Sequence, residues 1–331
     1  MKKAEWFAVV LLAVVPLVLP ARAQDLPEVK LISFAGSTNW AVWAAQERGE
    51  FAKNGIQITL TYTPNSVFLM TGLIEGRFDI GFAAIDNMVA YQEGQGEVKV
   101  EAEIGLVAFL GLHNGFNSLM AAPQVKDVAD LKGRKVAVDA ATTGYAFVLY
   151  DILRRNGLQS GDYVVERFGG STRRWEALRE GRHDGTLLSI PWDIIAERNG
   201  YKRVATSHVV GRYQGSVGTV RRKWAAANEA RVVGFIRAYV AGLEWISDPA
   251  NRDAALALLH KNIKGMTPEI AETSAKILLD PAVGLQRKGE LDIAGVRTVL
   301  ALRSQYGEPK KTLTDPMKYY DPSYYRKAVT R

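Results

Sequence analysis

The sequence predicts an α/β fold of two lobes that face each other across a cleft. Three observations carry that expectation. Short apolar runs alternate with stretches of helical periodicity, and the alternation occurs twice. A five-residue turn, Glu75-Gly76-Arg77-Phe78-Asp79, recurs as Glu180-Gly181-Arg182-His183-Asp184, an offset of 105 residues. The chain of 331 residues is long enough for two lobes of ordinary size.

The first half starts with the apolar strand Leu31 to Phe34 and the polar loop Gly36-Ser37-Thr38-Asn39. Trp40 to Arg48 has helical spacing, with Val42 and Ala45 on one face. Asn54-Gly55 punctuates, and Ile56 to Tyr62 alternates as a strand. Pro64-Asn65-Ser66 breaks it, with Ser66 placed to cap a helix from Val67 to Glu75 that stops at Gly76. The turn Glu75 to Asp79 then feeds a buried strand ending at Ile85-Asp86-Asn87.

The second half repeats the order. Lys135 to Val138 is a strand, Ala140 to Thr143 a polar loop, and Gly144 to Arg155 a helix with Ala146, Leu149, Ile152 and Leu153 in phase. Asn156-Gly157 stops it, as Asn54-Gly55 does in the first half. Tyr163 to Arg167 is a strand, Gly169-Gly170-Ser171-Thr172 breaks and caps, and Arg173 to Glu180 is a helix. The repeated turn feeds a last strand ending at Ile190-Pro191-Trp192. Each half reads as a β-α-β-α-β unit, which calls for a parallel sheet wrapped by helices.

In open α/β sheets ligands sit beyond the carboxyl ends of the strands. Both halves put small and hydroxylated residues at that edge. Thr142, Thr143 and Gly144 present hydroxyls and N–H groups at a helix N-terminus, and Thr38, Asn39 and Trp40 do the same in the first half. Such a corner suits an oxygen-rich anionic group. The same hydroxyls have a second use, capping their own helices.

Between the halves, Asn117 to Pro123 reads as a strand leaving the first lobe, followed by a short helix from Val125 to Lys132. Tyr201 to Ser207 and Gly215 to Val220 read as strands going back. The resulting division is residues 24–120 for the first part of lobe one, 121–207 for lobe two, and 208–331 for the return to lobe one. Two connections between lobes make a hinge, so closure on a ligand is physically reasonable. Four helical stretches follow, Trp224 to Ser247, Ala250 to Lys261, Pro268 to Leu279 and Leu291 to Tyr306, expected to cover lobe one. The tyrosine-rich tail from Tyr319 to Tyr325 is expected to pack as a surface strap.

The N-terminus stands apart. Met1-Lys2-Lys3 is basic, Trp6 to Leu19 is an apolar run of about fourteen residues, and Ala21-Arg22-Ala23 puts small residues at −3 and −1. That pattern is a secretory leader with cleavage before Gln24, which makes residues 1–23 a signal peptide and the periplasm the expected location. Cleavage takes Lys2, Lys3, Glu5 and Arg22, so the formal charge falls from +7 to +5. A modest positive balance favours anionic partners. It does not point to nucleic acid, because the basic pairs Arg173-Arg174, Arg221-Arg222 and Lys310-Lys311 are scattered and have no aromatic interleaving. The chain contains no Cys.

At this point the residues resemble a known family. The order and spacing of Asn39-Trp40…Gly55-Ile56, Gly76-x-x-Asp79-Ile80-Gly81, Asp130-Leu131-Lys132-Gly133-Arg134-Lys135-Val136-Ala137-Val138 and Ala177-Leu178-x-x-Gly181-x-x-Asp184…Pro191 are similar to those of the substrate-binding proteins of ABC importers. The nearest branch is the nitrate, sulfonate, taurine and thiamine-precursor type, and the resemblance runs from Val29 to Gly242. It implies a type II periplasmic binding protein fold, two α/β lobes with a cleft and a two-strand hinge. It also implies a small-molecule ligand, delivery to an ABC permease, no cofactor, and action as a monomer. By position, its cleft loops fall at Thr38, Asn39 and Trp40, at Asn65 and Ser66, at Asp86, at Thr142 to Tyr145, at Gly170 and Ser171, and at Pro191 and Trp192.

The chain departs from the branch that builds a pyrimidine with a cysteine cluster, since it has no Cys. Arg173 and Arg174 lie near the second-lobe cap, and the sequence leaves open which of them meets the cleft. Trp40, Tyr145 and Trp192 suggest either a flat or apolar part of the ligand or three core aromatics. Asp86 is placed either to receive a ligand donor or to cap the following helix. His113, His183, His208 and His260 show no metal-ligand spacing, and H-E-x-x-H and G-x-S-x-G are absent. The expected role is therefore binding, with a solute sensor for a membrane receptor or a periplasmic hydrolase as alternatives.

Overall fold

The computed structural model describes residues 26–330; the expected signal peptide and its cleavage site lie outside that range. In chain order the first lobe opens with β1 (Glu28–Phe34), α1 (Trp40–Glu47), α2 (Glu50–Lys53), β2 (Gln57–Thr63), α3 (Ser66–Ile74), β3 (Ile80–Ala84), α4 (Ile85–Gln92) and β4 (Leu106–Gly111). The second holds β5 (Ser118–Ala121), β6 (Lys135–Val138), α5 (Gly144–Arg155), β7 (Val164–Arg167), α6 (Ser171–Arg179), β8 (Gly185–Leu188), α7 (Trp192–Arg198) and β9 (Lys202–Thr206). The chain then returns through β10 (Ser216–Arg221) and ends in α8 (Arg222–Ala227), α9 (Glu229–Ser247), α10 (Arg252–Asn262), α11 (Pro268–Leu278), α12 (Ile293–Tyr306) and α13 (Pro322–Val329).

The strands form two five-stranded sheets, ordered β2-β1-β3-β10-β4 and β7-β6-β8-β5-β9. In each, the repeated unit supplies the three parallel strands. The sheets are not purely parallel, as the halves alone suggested. β10 runs antiparallel to β3 and β4, and β5 runs antiparallel to β8 and β9. Each sheet thus has one reversed strand beside a hinge connection. β5, read from sequence as a strand leaving lobe one, stands inside the second sheet, so the chain enters lobe two before Ser118.

The repeated turn does the same work twice. Gly76 ends α3 and Gly181 ends α6, both at positive φ (84° and 70°), where a side chain would be strained. Asp79 then accepts the Lys30 N–H through its carboxylate at 2.9 Å, and Asp184 accepts the Lys135 N–H at 3.2 Å. Each carboxylate pins the first residues of the strand beside it. Arg77 and Arg182 match as well, pairing with Glu75 and Glu180 at 2.9 Å and lying over Phe68 and Phe168.

One expectation for the C-terminal region changes. α9 packs on α1 so closely that a Cβ on Gly242 would sit 2.2 Å from the Ala41 carbonyl oxygen. The later helices, however, do not serve lobe one alone. α11 touches α7, with Arg198 and Glu269 paired at 2.6 Å, and α12 packs on α5. The tail is a strap that closes a sheet edge. Asp321 donates its N–H to the Ala108 carbonyl at 3.0 Å, which covers the free side of β4. Val125 to Lys132 forms only a single 3₁₀ turn at Ala129–Leu131 rather than a helix.

Candidate functional site

Between the carboxyl ends of the two sheets lies a cavity of about 100 Å³, well above the ~10–15 Å³ that one water needs. Lobe one lines it with Phe34, Ala35, Gly36 and Thr38 after β1, and with Ala84 and Asn87 after β3. Lobe two contributes Asp139 after β6, Thr143 and Tyr145 at the start of α5, Gly170, Ser171 and Arg174 at the start of α6, and Ser189 and Ile190 after β8. The hinge supplies His113, Asn117 and Ser216.

Arg174 dominates the lobe-two wall. Its side chain is buried, with Nη1 donating to the Gly169 carbonyl at 2.6 Å and Nη2 donating to the Leu187 carbonyl at 2.9 Å and to Ser171 Oγ at 3.1 Å. Nε has no partner. Burial pulls the guanidinium below its ordinary range, and the nearby Asp139 charge opposes that shift. An arginine keeps its proton in proteins, so a buried positive charge faces the cavity. The Ser189 hydroxyl bonds Ser171 Oγ at 3.1 Å, which sets two hydroxyls beside it. His183 braces the arrangement from behind, its Nε2 2.9 Å from the Arg174 carbonyl oxygen. Burial pushes His183 down to about 4, so it stays neutral near pH 7.

Asp139 is the second charged group. Both carboxylate oxygens accept the Ser66 N–H, at 3.1 and 3.2 Å, across the cleft from the first turn of α3. Burial raises its pKa, while the Arg174 charge and then the Ser66 hydroxyl and N–H lower it. Among the described residues neither Asp139 nor Arg174 has an ion-pair partner.

Of the residues expected from sequence, Thr38, Thr143, Tyr145, Gly170 and Ser171 line this cavity. The others lie elsewhere. Trp40 is fully buried in the core and its indole N–H donates to the Ala255 carbonyl at 2.8 Å. Asn39 is buried and turned back, donating to the Phe34 and Gly36 carbonyls. Asn65, not Ser66, caps α3, its Oδ1 accepting the Phe68 N–H at 2.8 Å. Ser66 is the first helical residue and spends its N–H on Asp139. Thr142 bonds Glu97 through both its N–H and its hydroxyl, at 3.1 and 3.0 Å. Gly144 permits close packing: a Cβ there would lie 2.5 Å from Asp86 Cβ and from the Tyr213 hydroxyl oxygen. Asp86 neither faces the cavity nor caps α4; it pairs with the buried Arg303, Nε to Oδ1 at 2.6 Å. Pro191 precedes α7, and Trp192 is buried behind Gly36 with its indole N–H unpartnered. Arg174, not Arg173, reaches the cavity; Arg173 lines an outer groove with Arg167, Arg182, Glu97 and Glu176.

Phe34, Asn87, His113, Asn117, Asp139, Ser189 and Ser216 were not anticipated. For Asp139 and Ser189 the signal was present, since each directly follows the carboxyl end of a strand, where ligands gather. For the hinge residues no local pattern marks the position.

Several contacts cross the cleft and hold the lobes together. Ser37 donates its hydroxyl to the Ile190 carbonyl at 2.7 Å, the Gly170 N–H reaches the Pro64 carbonyl at 3.1 Å, and Arg167 pairs with Glu97 at 2.8 Å. On the far side Tyr306 of α12 donates to Asp151 of α5 at 3.1 Å. The two hinge connections run side by side, with the Ser207 hydroxyl donating to Gly115 and accepting from the Asn117 N–H. This geometry is a closed cleft.

Solved structures with the same architecture include the periplasmic nitrate-binding protein of Synechocystis PCC 6803, at TM-score 0.77 and 14% identity over 92% of this chain and 89% of that one. The alkanesulfonate-binding protein of Xanthomonas axonopodis pv. citri, bound to MOPS, gives TM-score 0.70 and 17% identity over 86% and 93%. A desulfurization enzyme also shares the fold, at TM-score 0.60 and 13% identity over 92% and 99%. The architecture is therefore the periplasmic binding protein fold. Among functionally curated proteins no sequence relative matches the chain. The profile of the NMT1-like family matches residues 22–260, well over half of the sequence, and the chain belongs to that family.

Proposed function

We propose that this protein is the periplasmic solute-binding component of an ABC importer. It is exported by its N-terminal leader, captures a small organic anion or heterocycle in the cleft by hinge closure, and hands it to a membrane permease. The observation that carries this reading is Arg174: a buried guanidinium whose Nε is unpartnered beside an interlobe cavity. A buried charge with no ion pair at contact distance among the described residues is costly, and an anionic ligand group offsets that cost. The N-termini of α5 and α6 open at the same wall and favour negative charge. The fold's nitrate- and alkanesulfonate-binding members support the reading.

Binding rather than catalysis fits the wall chemistry. Among the described residues the cavity hydroxyls of Thr38, Thr143, Ser171, Ser189 and Ser216 have no base paired with them: His113 Nδ1 accepts the Gly115 N–H, and His183 is engaged with the Arg174 carbonyl. A nucleophile activated by an adjacent base is what hydrolysis would require.

A thermal-shift screen of the mature protein tests the proposal with nitrate, alkanesulfonates, aminoalkanesulfonates, amino acids, aromatic carboxylates and aminopyrimidines. Ligand at 100 times its Kd adds about 2.7 kcal/mol, or about 4 °C for a chain of this length. One class is expected to give that rise, and Arg174→Gln to remove it. If no class shifts the wild-type protein, or if Arg174→Gln responds in full, the proposal fails.

A further inference from the structure

The cavity carries a negative charge as well as a positive one. Among its described lining residues the formally charged groups are Asp139 and Arg174. They are not paired with each other, although both border one small space. His113, the remaining lining group that titrates near neutrality, is held neutral by burial, which pushes it down to about 4. The walls therefore present one guanidinium and one carboxyl group, the carboxyl's burial opposed by the Arg174 charge, and lobe one adds only neutral groups: Phe34, Thr38, Asn87 and small residues.

A simple monoanion satisfies Arg174 and meets repulsion from Asp139. A simple cation does the reverse. Asp139 has acceptor capacity to spare, because among the described residues its donors all come from Ser66 and an ionised carboxylate takes about four hydrogen bonds. It also borders the outer groove, so it stands where the cavity meets that groove.

We infer that the cleft selects a small zwitterion, its anionic group held by Arg174, Ser171 and Ser189 and its cationic nitrogen held by Asp139. This rests on the solute-binding reading and narrows it. A bare inorganic anion or an alkanesulfonate without an amine lacks the group that Asp139 would hold. Asp139 also has a purely structural use, because its contact with the N-terminus of α3 helps to hold the cleft closed. The test must separate the two.

Isothermal titration of the mature protein at pH 7 does so with matched pairs: β-alanine against propionate, and 3-aminopropanesulfonate against propanesulfonate. In at least one pair the aminated member is expected to bind tenfold or more tightly than its partner. Asp139→Asn is expected to collapse that ratio toward one. Equal affinity within both pairs overturns the inference while leaving the solute-binding reading in place. An Asp139→Asn variant that weakens both members equally also overturns it, and assigns Asp139 to closure alone. If neither member of either pair binds, the zwitterion inference falls. If the broader screen is silent too, the solute-binding reading falls with it.

Discussion

Replacing Arg303 tests how the closed state is supported far from the ligand. Arg303 and Asp86 have essentially no exposed side-chain surface, 0% and 1%. The guanidinium meets the carboxylate through Nε at 2.6 Å and through Nη2, contacts Gln95 at 3.4 Å, and donates to the Thr142 carbonyl of lobe two. Its Cζ lies over the Phe147 ring of α5, 4.6 Å from the centroid. Arg303→Met leaves Asp86 charged, buried and alone, which costs about 3–5 kcal/mol. With unfolding entropy of ~2.1 cal/mol/K per residue, that is a fall in Tm of about 5–8 °C. Asp86→Leu strands Arg303 and costs a similar amount. The double variant removes both charges and should be no less stable than either single variant, because an apolar pair of similar volume tolerates burial. It does not restore the Thr142 and Phe147 contacts, so its ligand affinity should stay below wild type. Urea denaturation of the four proteins gives the cycle. Additive losses in the double variant would refute the buried-pair argument, as would an Arg303→Met cost below about 1 kcal/mol.

Two further outcomes follow from burial. Trp40→Ala should cost about 3–5 kcal/mol of stability through the cavity it leaves and the lost bond to the Ala255 carbonyl, as chemical denaturation would show. A Trp40→Ala protein of unchanged stability would mean that the residue is not core. His183 binds fewer protons folded than unfolded between about pH 6.5 and about 4. Its contribution is thus full above pH 6.5 and is lost as pH falls, by about 3 kcal/mol in total. A stability-versus-pH series on wild type and His183→Gln should show that acid-sensitive part in wild type only, and parallel curves would contradict it.

The repeat was legible because it is local. Glu-Gly-Arg-x-Asp needs a glycine at positive φ and a carboxylate three residues later, and both copies use the carboxylate on the neighbouring strand's N–H. The alternation of strands and helices was legible for the same reason. The reversed strand in each sheet was not, because β5 and β10 are placed by pairing with distant partners and not by their own pattern. Within the site, Thr143, Tyr145, Gly170 and Ser171 of the second-lobe joint line the cavity. At the first-lobe joint a 3₁₀ turn at Ser37–Asn39 precedes α1, and it leaves Thr38 at the cavity while Asn39 and Trp40 turn inward. Asp86 was ambiguous because its partner lies 217 residues away. Arg174 was ambiguous because adjacent arginines on a helix differ only in which face they occupy.

The central claim is that two lobes close on a solute held at the Arg174 wall. The most direct measurement is the distance between spin labels on cysteines introduced at the exposed Ala52 and Ser160, one in each lobe, since the chain has no native Cys. The account predicts a broad distribution without ligand, and a shorter, narrower one with the tightest ligand of the calorimetric and thermal-shift series. The change should be absent in Arg174→Gln. An unchanged interlobe distance with a ligand that calorimetry shows to be bound would contradict closure.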